Sequence, residues 1–319
     1  MEKSEKPLPQ HKQDFLDWLA VERGLSPKSQ ENYARFIKRF FDWLETTHLE
    51  NLKPHELTAQ HVRDYRLYLS RESNPNSSEP LKKSTQNYYI IALRALLSHF
   101  AEKDVISLSI EKVKLARDKT ERQVRFLSLD QLEELFAAPD LSTYQGVRDR
   151  AILEIFFSTG LRIAELVNLN QEQFKIKPGI TELELSIMGK GGRIRTVYFS
   201  ERALLWVKKY LQIRKDGHKA LFVAKPGKKS IPDRLSPRSI QKSMKRYVVK
   251  AGLPEYVTPH VMRHSFSTDL LAKGVDIRVL QEFLGHKDIS ATQIYAHVTN
   301  KQLREIHKKF HGGSDLKTD

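Results

Sequence analysis

The segment from Thr258 to Arg263 combines a helix start with two side chains suited to phosphate chemistry. Thr258 fits the N-cap position and Pro259 the first helical position, so the sequence predicts a helix that begins here. His260 then lies in the first turn, with Arg263 three positions later on the same face. The partial positive charge at a helix N-terminus favours a phosphate and lowers the pKa of a histidine. We therefore expect His260 to act as a base and Arg263 to bind the anion.

A second candidate anion-binding residue is Arg162, in the segment Ser-Thr-Gly-Leu-Arg-Ile-Ala-Glu that ends at Glu165. Gly160 permits a sharp end to one helix, and Arg162 stands where the next helix begins. An arginine at such a helix start can reach a phosphate together with the backbone N–H groups around it. Taken alone, the segment fits better a surface arginine paired with a carboxylate such as Glu165.

The run Gly189-Lys190-Gly191-Gly192-Arg193 predicts a tight turn of a β-hairpin that carries Lys190 at its tip. Glycines allow the backbone to approach a ligand closely, and a lysine in a hairpin turn can donate a proton to a leaving oxygen. The pattern lacks the Lys-Ser or Lys-Thr ending of a phosphate-binding Walker loop. An ordinary tight turn is the alternative interpretation.

The fourth segment joins Gly285 and His286 to a short helix that Ser290 caps and that carries Tyr295. Gly285 ends the preceding helix, so we expect His286 in an exposed turn. The chain has 11 tyrosines, and a single tyrosine is far more often a packing residue than a nucleophile. Tyr295 becomes a candidate nucleophile because the other three segments occur in the same chain.

Together, the four segments resemble the tyrosine recombinase (phage integrase) family, whose motif runs Arg, Lys, His-x-x-Arg, His, Tyr. The segments STGLRIAEL, TPHVMRHSFSTDLL and LGHKDISATQIYAHV look especially like bacterial Xer recombinases, which resolve chromosome dimers. The resemblance covers nearly the whole chain. It implies a catalytic set made of Arg162, Lys190, His260, Arg263, His286 and Tyr295.

The resemblance also implies the reaction. Tyr295 would attack a DNA phosphate and form a 3′-phosphotyrosine, His260 would accept the tyrosine proton, and Lys190 would protonate the leaving 5′-oxygen. Arginines and histidines that stabilise the developing negative charge remove the need for a metal. The covalent link conserves the bond energy, so that resealing needs no ATP or other cofactor. A metal site at His260 and His264 is disfavoured, since no carboxylate lies nearby in sequence and no zinc-protease motif is present.

Further partners follow from the resemblance alone. They are double-stranded DNA with a pseudo-palindromic core site, a homo- or hetero-tetramer on two such sites, a second Xer-type recombinase and a cell-division DNA translocase. A C-terminal helix around Gln302 to Phe310 would dock on a neighbouring protomer. The alternatives are an integrase of a phage, plasmid or other mobile element, a type IB topoisomerase, and a catalytically silent DNA-binding protein.

Composition agrees with a polyanionic partner and excludes several classes of protein. The net charge is +15, and residues 1–115 carry 18 Lys and Arg against 16 Asp and Glu, whereas the remainder carries 36 against 23. The second part of the chain should therefore dominate attraction to phosphate. The absence of cysteine excludes disulfides, thiolate catalysis and cysteine-bound zinc. Without an apolar run of about 20 residues or a secretory leader, we expect no membrane association and a cytoplasmic location.

Hydrophobic periodicity predicts a mainly α-helical fold with a small β-sheet. Residues 1–109 read as all-helical, residues 110–125 as a basic interdomain linker, and residues 126–319 as a mixed α/β domain. The resemblance implies that the first is a SAM-like core DNA-binding domain and the last the catalytic domain. Helix starts are expected at Ser26, Thr58, Ser84 and Ser128. On the fourth helix, Tyr88, Ile91 and Leu96 are expected to face the core.

Overall fold

The computed structural model describes residues 1–73, 79–116, 124–174, 179–189, 192, 194–224 and 233–285. The chain divides into two compact units, Met1–Glu121 and Arg122–Asp319. Within the described residues the structure is mainly helical with one two-stranded antiparallel sheet, which confirms the predicted fold class. None of the described helices is both long and apolar enough to cross a bilayer.

The first unit contains four long helices: α1 (Lys12–Val21), α2 (Pro27–Thr46), α3 (Ala59–Arg71) and α4 (Lys83–Glu102). Short 3₁₀ turns occupy Leu8–His11, Pro54–Glu56 and Ile110–Lys112. Ser26 and Thr58 cap α2 and α3 as predicted, because each hydroxyl accepts the N–H three residues later. Helix α4 begins at Lys83 with Lys82 as its N-cap, so the cap predicted at Ser84 lies two residues too far along the chain.

The core of the first unit is rich in aromatic side chains that α1 to α4 bury among one another. Phe40 and Tyr65 are fully buried and meet edge to face, with ring centroids 5.0 Å apart. Leu96 is buried as predicted. The inward orientation predicted for Tyr88 is wrong: its side chain is 55% exposed and stacks on Phe36 of α2. Stacking on Phe36 gives the tyrosine ring an apolar contact at the surface, so that the side chain does not need to be buried.

Residues 110–116 follow the surface of the first unit. Arg94 of α4 donates to the backbone carbonyls of Ile110 and Val113, and Val113 is fully buried. Asn87 exchanges two hydrogen bonds with the backbone of Ala116, at 2.9 and 3.1 Å. The interdomain linker over 110–125 stays a prediction, and residues 117–123 within it lie outside the described ranges.

The second unit begins with helices α5 (Leu129–Ala137), α6 (Tyr144–Thr159) and α7 (Ile163–Val167). Ser128 caps α5 through the Gln131 N–H, as predicted. Strands β1 (Leu183–Met188) and β2 (Ile194–Phe199) then form the predicted hairpin, in a register that pairs Leu183 with Phe199 and Met188 with Ile194. Helices α8 (Glu201–Ile213), α9 (Pro237–Lys250), α10 (Pro259–Ala272) and α11 (Ile277–Leu284) follow.

Helix α6 is the centre of the second unit. It packs against α8, α10 and β2, and most of its side chains are buried, including Ile152, Ile155 and Phe156. A helix surrounded in this way loses the one-sided apolar pattern of a surface helix. Its C-terminal end, at Gly160, therefore lies deep in the unit, next to the start of α7.

Candidate functional site

The N-terminus of α10 is built as the sequence predicted. The Thr258 hydroxyl accepts the N–H of Val261, and Pro259 is the first helical residue. This cap places both His260 and Arg263 in the first turns of the helix. The His260 side chain is exposed, whereas Arg263 is only 3% exposed. One end of the helix therefore presents a histidine at the surface above a buried guanidinium.

Arg263 connects three of the four predicted segments. Its Nη1 donates to the carbonyl of Gly160 and its Nη2 to the carbonyl of Leu284, both at 2.6 Å. Gly160 and Gly285 both end helices with φ of +60°, a conformation that glycine adopts without strain. The guanidinium thus bonds the carbonyl ends of α6 and α11 to α10. One buried side chain holds the Arg162 segment and the chain that leads to His286 against the His-x-x-Arg helix.

Arg162 is the N-cap of α7, where it was predicted, and it pairs with Glu165. Its Nη1 donates to Glu165 Oε1 at 2.9 Å, and its backbone N–H donates to Oε2 at 2.8 Å. The ion pair named as the alternative interpretation is therefore formed. The Arg162 side chain nonetheless remains 35% exposed while Glu165 is 5% exposed. A buried carboxylate with an exposed partner orients that partner, so the pair leaves Arg162 available at the surface.

A second arginine, which the sequence reasoning missed, completes the coordination of Glu165. Arg195 of β2 donates to both carboxylate oxygens, each at 2.8 Å, and its Nε donates to the carbonyl of Phe283 at 3.0 Å. A signal for this residue was present in the sequence. Arg195 shares a strand face with Val197 and Phe199, which are buried, so period-two alternation places it on the inward side.

The electrostatics of this cluster lower the pKa of an acid and of two bases. Burial alone would raise the pKa of Glu165, but the hydrogen bonds and charges of Arg195 and Arg162 lower it to about 2. Partial burial, followed by the positive charges of Arg263 and Arg162, lowers the pKa of His260, although the residue reaches the surface. Burial, His260 and Arg263 lower the pKa of His264 to about 4. Near neutral pH the site therefore holds an ionised carboxylate and neutral imidazoles.

The rings of His260 and His264 are close neighbours, with centroids 4.3 Å apart and planes at 72°. Such a pair raises the question of a metal. Within the part of the chain that the structure describes, no cluster of three or more His, Asp or Glu side chains is arranged to hold a metal ion. The histidine pair instead sits among arginines, an environment that repels a cation.

Three predicted site residues, Lys190, His286 and Tyr295, lie outside the described residues, as does the helix predicted from Gln302 to Phe310. Two of the three directly follow a described residue in the sequence. Gly189 precedes Lys190, and Gly285 precedes His286. The structure therefore brings together Arg162, His260 and Arg263. The places of the other three stay predictions.

A basic face on α9 is a further feature that the sequence reasoning did not locate. Arg238, Lys242 and Lys245 recur at helical spacing and line an open cavity of about 780 Å³ together with Gln241, Arg246 and Val249. The opposite face of α9 is buried through Ile240, Met244 and Val248. The signal was the amphipathic pattern itself, in which the polar positions are mostly lysine or arginine. This face is a candidate surface for a phosphate backbone.

Two family models match most of the chain. Residues 125–302 match the phage integrase family, and residues 12–107 match the phage integrase N-terminal SAM-like domain. Among curated proteins, the chain is 35% identical to tyrosine recombinase XerD of Lacticaseibacillus casei, over 93% of this chain and 97% of that protein. It is 33% identical to tyrosine recombinase XerC of Natranaerobius thermophilus, again over 93% and 97%.

The fold also matches solved structures. XerH site-specific recombinase bound to a palindromic difH substrate superposes with a TM-score of 0.68 at 20% identity, over 99% of this chain and 92% of XerH. The Tn1549 transposon integrase, in complex with transposon right end DNA, gives a TM-score of 0.70 at 20% identity, over 94% of this chain and 99% of that one. At this identity the likeness concerns the fold.

Proposed function

The chain belongs to the phage integrase family as a tyrosine-type site-specific recombinase, and we propose that it cuts and rejoins DNA through a covalent 3′-phosphotyrosine at Tyr295. The proposed catalytic set is the one that the sequence predicts: Arg162, Lys190, His260, Arg263, His286 and Tyr295. The strongest support is the bonding of Arg263 to the ends of α6 and α11. It gathers Arg162, His260 and the chain leading to His286 around one position suited to a phosphate.

In the proposed first step, the Tyr295 oxygen attacks phosphorus, and the bond from phosphorus to the 5′-oxygen breaks. His260 accepts the tyrosine proton, consistent with its lowered pKa, and Lys190 gives a proton to the departing 5′-oxygen. Negative charge that develops on the nonbridging oxygens is stabilised by Arg162, Arg263 and His286. The phosphotyrosine keeps the phosphodiester energy. A 5′-hydroxyl of another strand can therefore reverse the step without ATP or a metal.

The proposed substrate is double-stranded DNA with a pseudo-palindromic core site, bound by four protomers on two sites. The basic face of α9 supports a DNA contact in the second unit, since it offers five long polar or basic side chains on one side of one helix. We assign residues 1–109 to core-site binding, 126–319 to catalysis, and 110–125 to a linker that lets the two parts close around a duplex. The C-terminal helix around Gln302 to Phe310 would join neighbouring protomers.

For the biological role we propose resolution of chromosome dimers in the bacterial cytoplasm, with a second Xer-type recombinase and a cell-division DNA translocase as partners. The relatives named XerD and XerC, each aligned over 93% of this chain, support this role. A mobile-element integrase is the second candidate, because a transposon integrase shares the fold. A type IB topoisomerase would perform the same covalent chemistry without a preferred site.

The first experiment tests the nucleophile with nicked duplexes that trap the covalent intermediate. Duplexes with a Xer-type pseudo-palindromic site, with transposon-like ends, or with unrelated sequence are incubated with the wild type and with Tyr295→Phe. Tyr256→Phe is the matched control, because Tyr256 stacks on Arg125 through its ring, which phenylalanine retains. Adducts that survive denaturant are resolved by electrophoresis.

We expect an adduct on the Xer-type site with the wild type and with Tyr256→Phe, and none with Tyr295→Phe. An adduct that persists in Tyr295→Phe would refute the assigned nucleophile. Adducts confined to the transposon-like ends would favour the mobile-element role, and adducts on every duplex would favour a topoisomerase. DNA binding without any adduct would support the catalytically silent alternative, provided that addition of a partner recombinase also fails to restore cleavage.

A further inference from the structure

Arg195 is a largely enclosed arginine outside the proposed catalytic set, and it contacts the helix that begins at Arg162 and the helix that precedes His286. Its side chain is 8% exposed. From β2, the strand that follows the Lys190 turn, it reaches Glu165 of α7 and the Phe283 carbonyl of α11. Glu165 in turn holds Arg162. Three segments distant in sequence thus share one guanidinium.

The side chain of Arg195 is also packed closely against the end of α11. A Cβ added at Gly285 would lie 2.8 Å from Arg195 Cδ, closer than a real Cβ contact allows. Gly285 also has φ of +60°, which disfavours any other residue. The last turn of α11 therefore rests directly on the arginine side chain. A shift of Arg195 would move the backbone immediately before His286.

A second buried carboxylate in the same unit also pairs with two arginines but lies away from the predicted site residues, so it serves as a comparison. Glu154 is also buried and also receives two arginines, Arg150 and Arg202, at 2.8 and 2.9 Å. Those arginines pack on Phe136 and Trp206. No predicted site residue belongs to that cluster. The two carboxylate clusters have similar burial and composition but different neighbours.

From this geometry we propose that Arg195 is a positioning residue for strand cleavage. It fixes the carboxylate that orients Arg162, it fixes the end of α11 that precedes His286 in sequence, and it anchors β2, the strand that follows the predicted Lys190 turn. The role rests on the proposed function, since it concerns the same phosphate site. Arg195 acts through these neighbours and does not itself need to contact DNA.

The kinetic test compares Arg195→Gln and Arg195→Lys with the control pair Arg150→Gln and Arg150→Lys. Single-turnover cleavage of the nicked site is measured per folded molecule, and DNA affinity is measured separately. We expect Arg195→Gln to cleave about 10²-fold more slowly, the scale of a 1 Å misplacement at a reacting centre, with unchanged affinity. Arg195→Lys keeps the charge but cannot bond both carboxylate oxygens and Phe283, so we expect a partial loss of about tenfold.

A pH profile separates positioning from a general loss of stability. The charged groups to which the Glu165 carboxylate responds are Arg195 from β2 and Arg162 from its own helix. With Arg195→Gln only Arg162 remains, so Glu165 should become easier to protonate and the cleavage rate should fall toward acid relative to the wild type. Adding Glu165→Gln to Arg195→Gln should remove this extra pH dependence, because no titrating carboxylate is left.

Hydrogen exchange measured by mass spectrometry tests the same proposal without depending on a cleavage assay. Arg195→Gln should speed amide exchange in peptides covering 277–285 and 183–189, and Arg150→Gln should not. Unchanged exchange there, or equal losses of cleavage per folded molecule in the Arg195 and Arg150 variants, would overturn the positioning role. If the wild type forms no Tyr295 adduct, the proposed function fails, and the exchange result still decides whether Arg195 fixes these segments.

Discussion

The two arginines that the sequence treats alike, Arg162 and Arg263, should respond very differently to replacement by alanine. Arg263→Ala removes the buried donors to the carbonyls of Gly160 and Leu284. A hydrogen bond from a charged donor contributes about 1.5–3 kcal/mol, so the loss of two should destabilise the second unit by about 3–6 kcal/mol. Arg162 is 35% exposed, and Arg195 still pairs with Glu165 in its absence. Arg162→Ala should therefore cost only about 1 kcal/mol.

Urea unfolding followed by the fluorescence of Trp206 measures this difference, since Trp206 is the tryptophan of the second unit. All variants carry Trp18→Phe and Trp43→Phe, so that the signal comes from one unit. Both alanine variants should lose detectable cleavage. Arg162→Ala should keep DNA binding, whereas Arg263→Ala should bind only to the extent that it remains folded. Equal unfolding midpoints for the two variants would refute the argument from burial.

Three further results follow from charge and ionisation. DNA affinity should fall steeply with salt because the chain carries a net charge of +15. A double variant with Lys242→Ala and Lys245→Ala should show a shallower dependence of affinity on salt. A wild-type affinity that does not change with salt would reject electrostatic binding. Cleavage should survive EDTA, and a loss reversed by added metal would overturn the metal-free mechanism. Because the folded pKa of His264 is about 4, below its unfolded value, stability should rise by roughly 2–3 kcal/mol from pH 4 to pH 6.5. His264→Gln should flatten that rise in urea midpoints.

The helix starts that were predicted correctly depend on capping residues, which act within a few positions of the sequence. The caps at Ser26, Thr58, Ser128 and Thr258 each depend on a hydroxyl and an N–H three residues away, so a short stretch of sequence contains the whole interaction. The start of α4 lacks such a side-chain hydrogen bond, and there the predicted cap is wrong by two residues. Boundaries are predictable where the capping interaction is local.

Burial of the polar site residues was not predictable in the same way. Arg263 and Arg162 look equivalent as sequence motifs, and only the packing of α6, α10 and α11 decides that one guanidinium is enclosed. Arg195 was missed because its partners lie 30 and 88 positions away. Period-two alternation indicates that Arg195 points inward, but no local rule identifies a carboxylate and a carbonyl that arrive from other elements.

The same long-range contacts explain how the site can be ready for chemistry before DNA arrives. Arg162 and Arg195 share one carboxylate, Glu165, and Arg263 adds a third positive charge near His260, so positive charge is in excess. Partial burial, followed by the charges of Arg263 and Arg162, lowers the pKa of His260. His260 therefore starts in the neutral form that accepts a proton. A phosphate bound between Arg162 and Arg263 would offset that excess charge and raise the pKa of His260. In the proposed reaction, the arriving phosphate thus strengthens the base at the moment when the Tyr295 proton must be held, because the same arginines act on both the phosphate and the histidine.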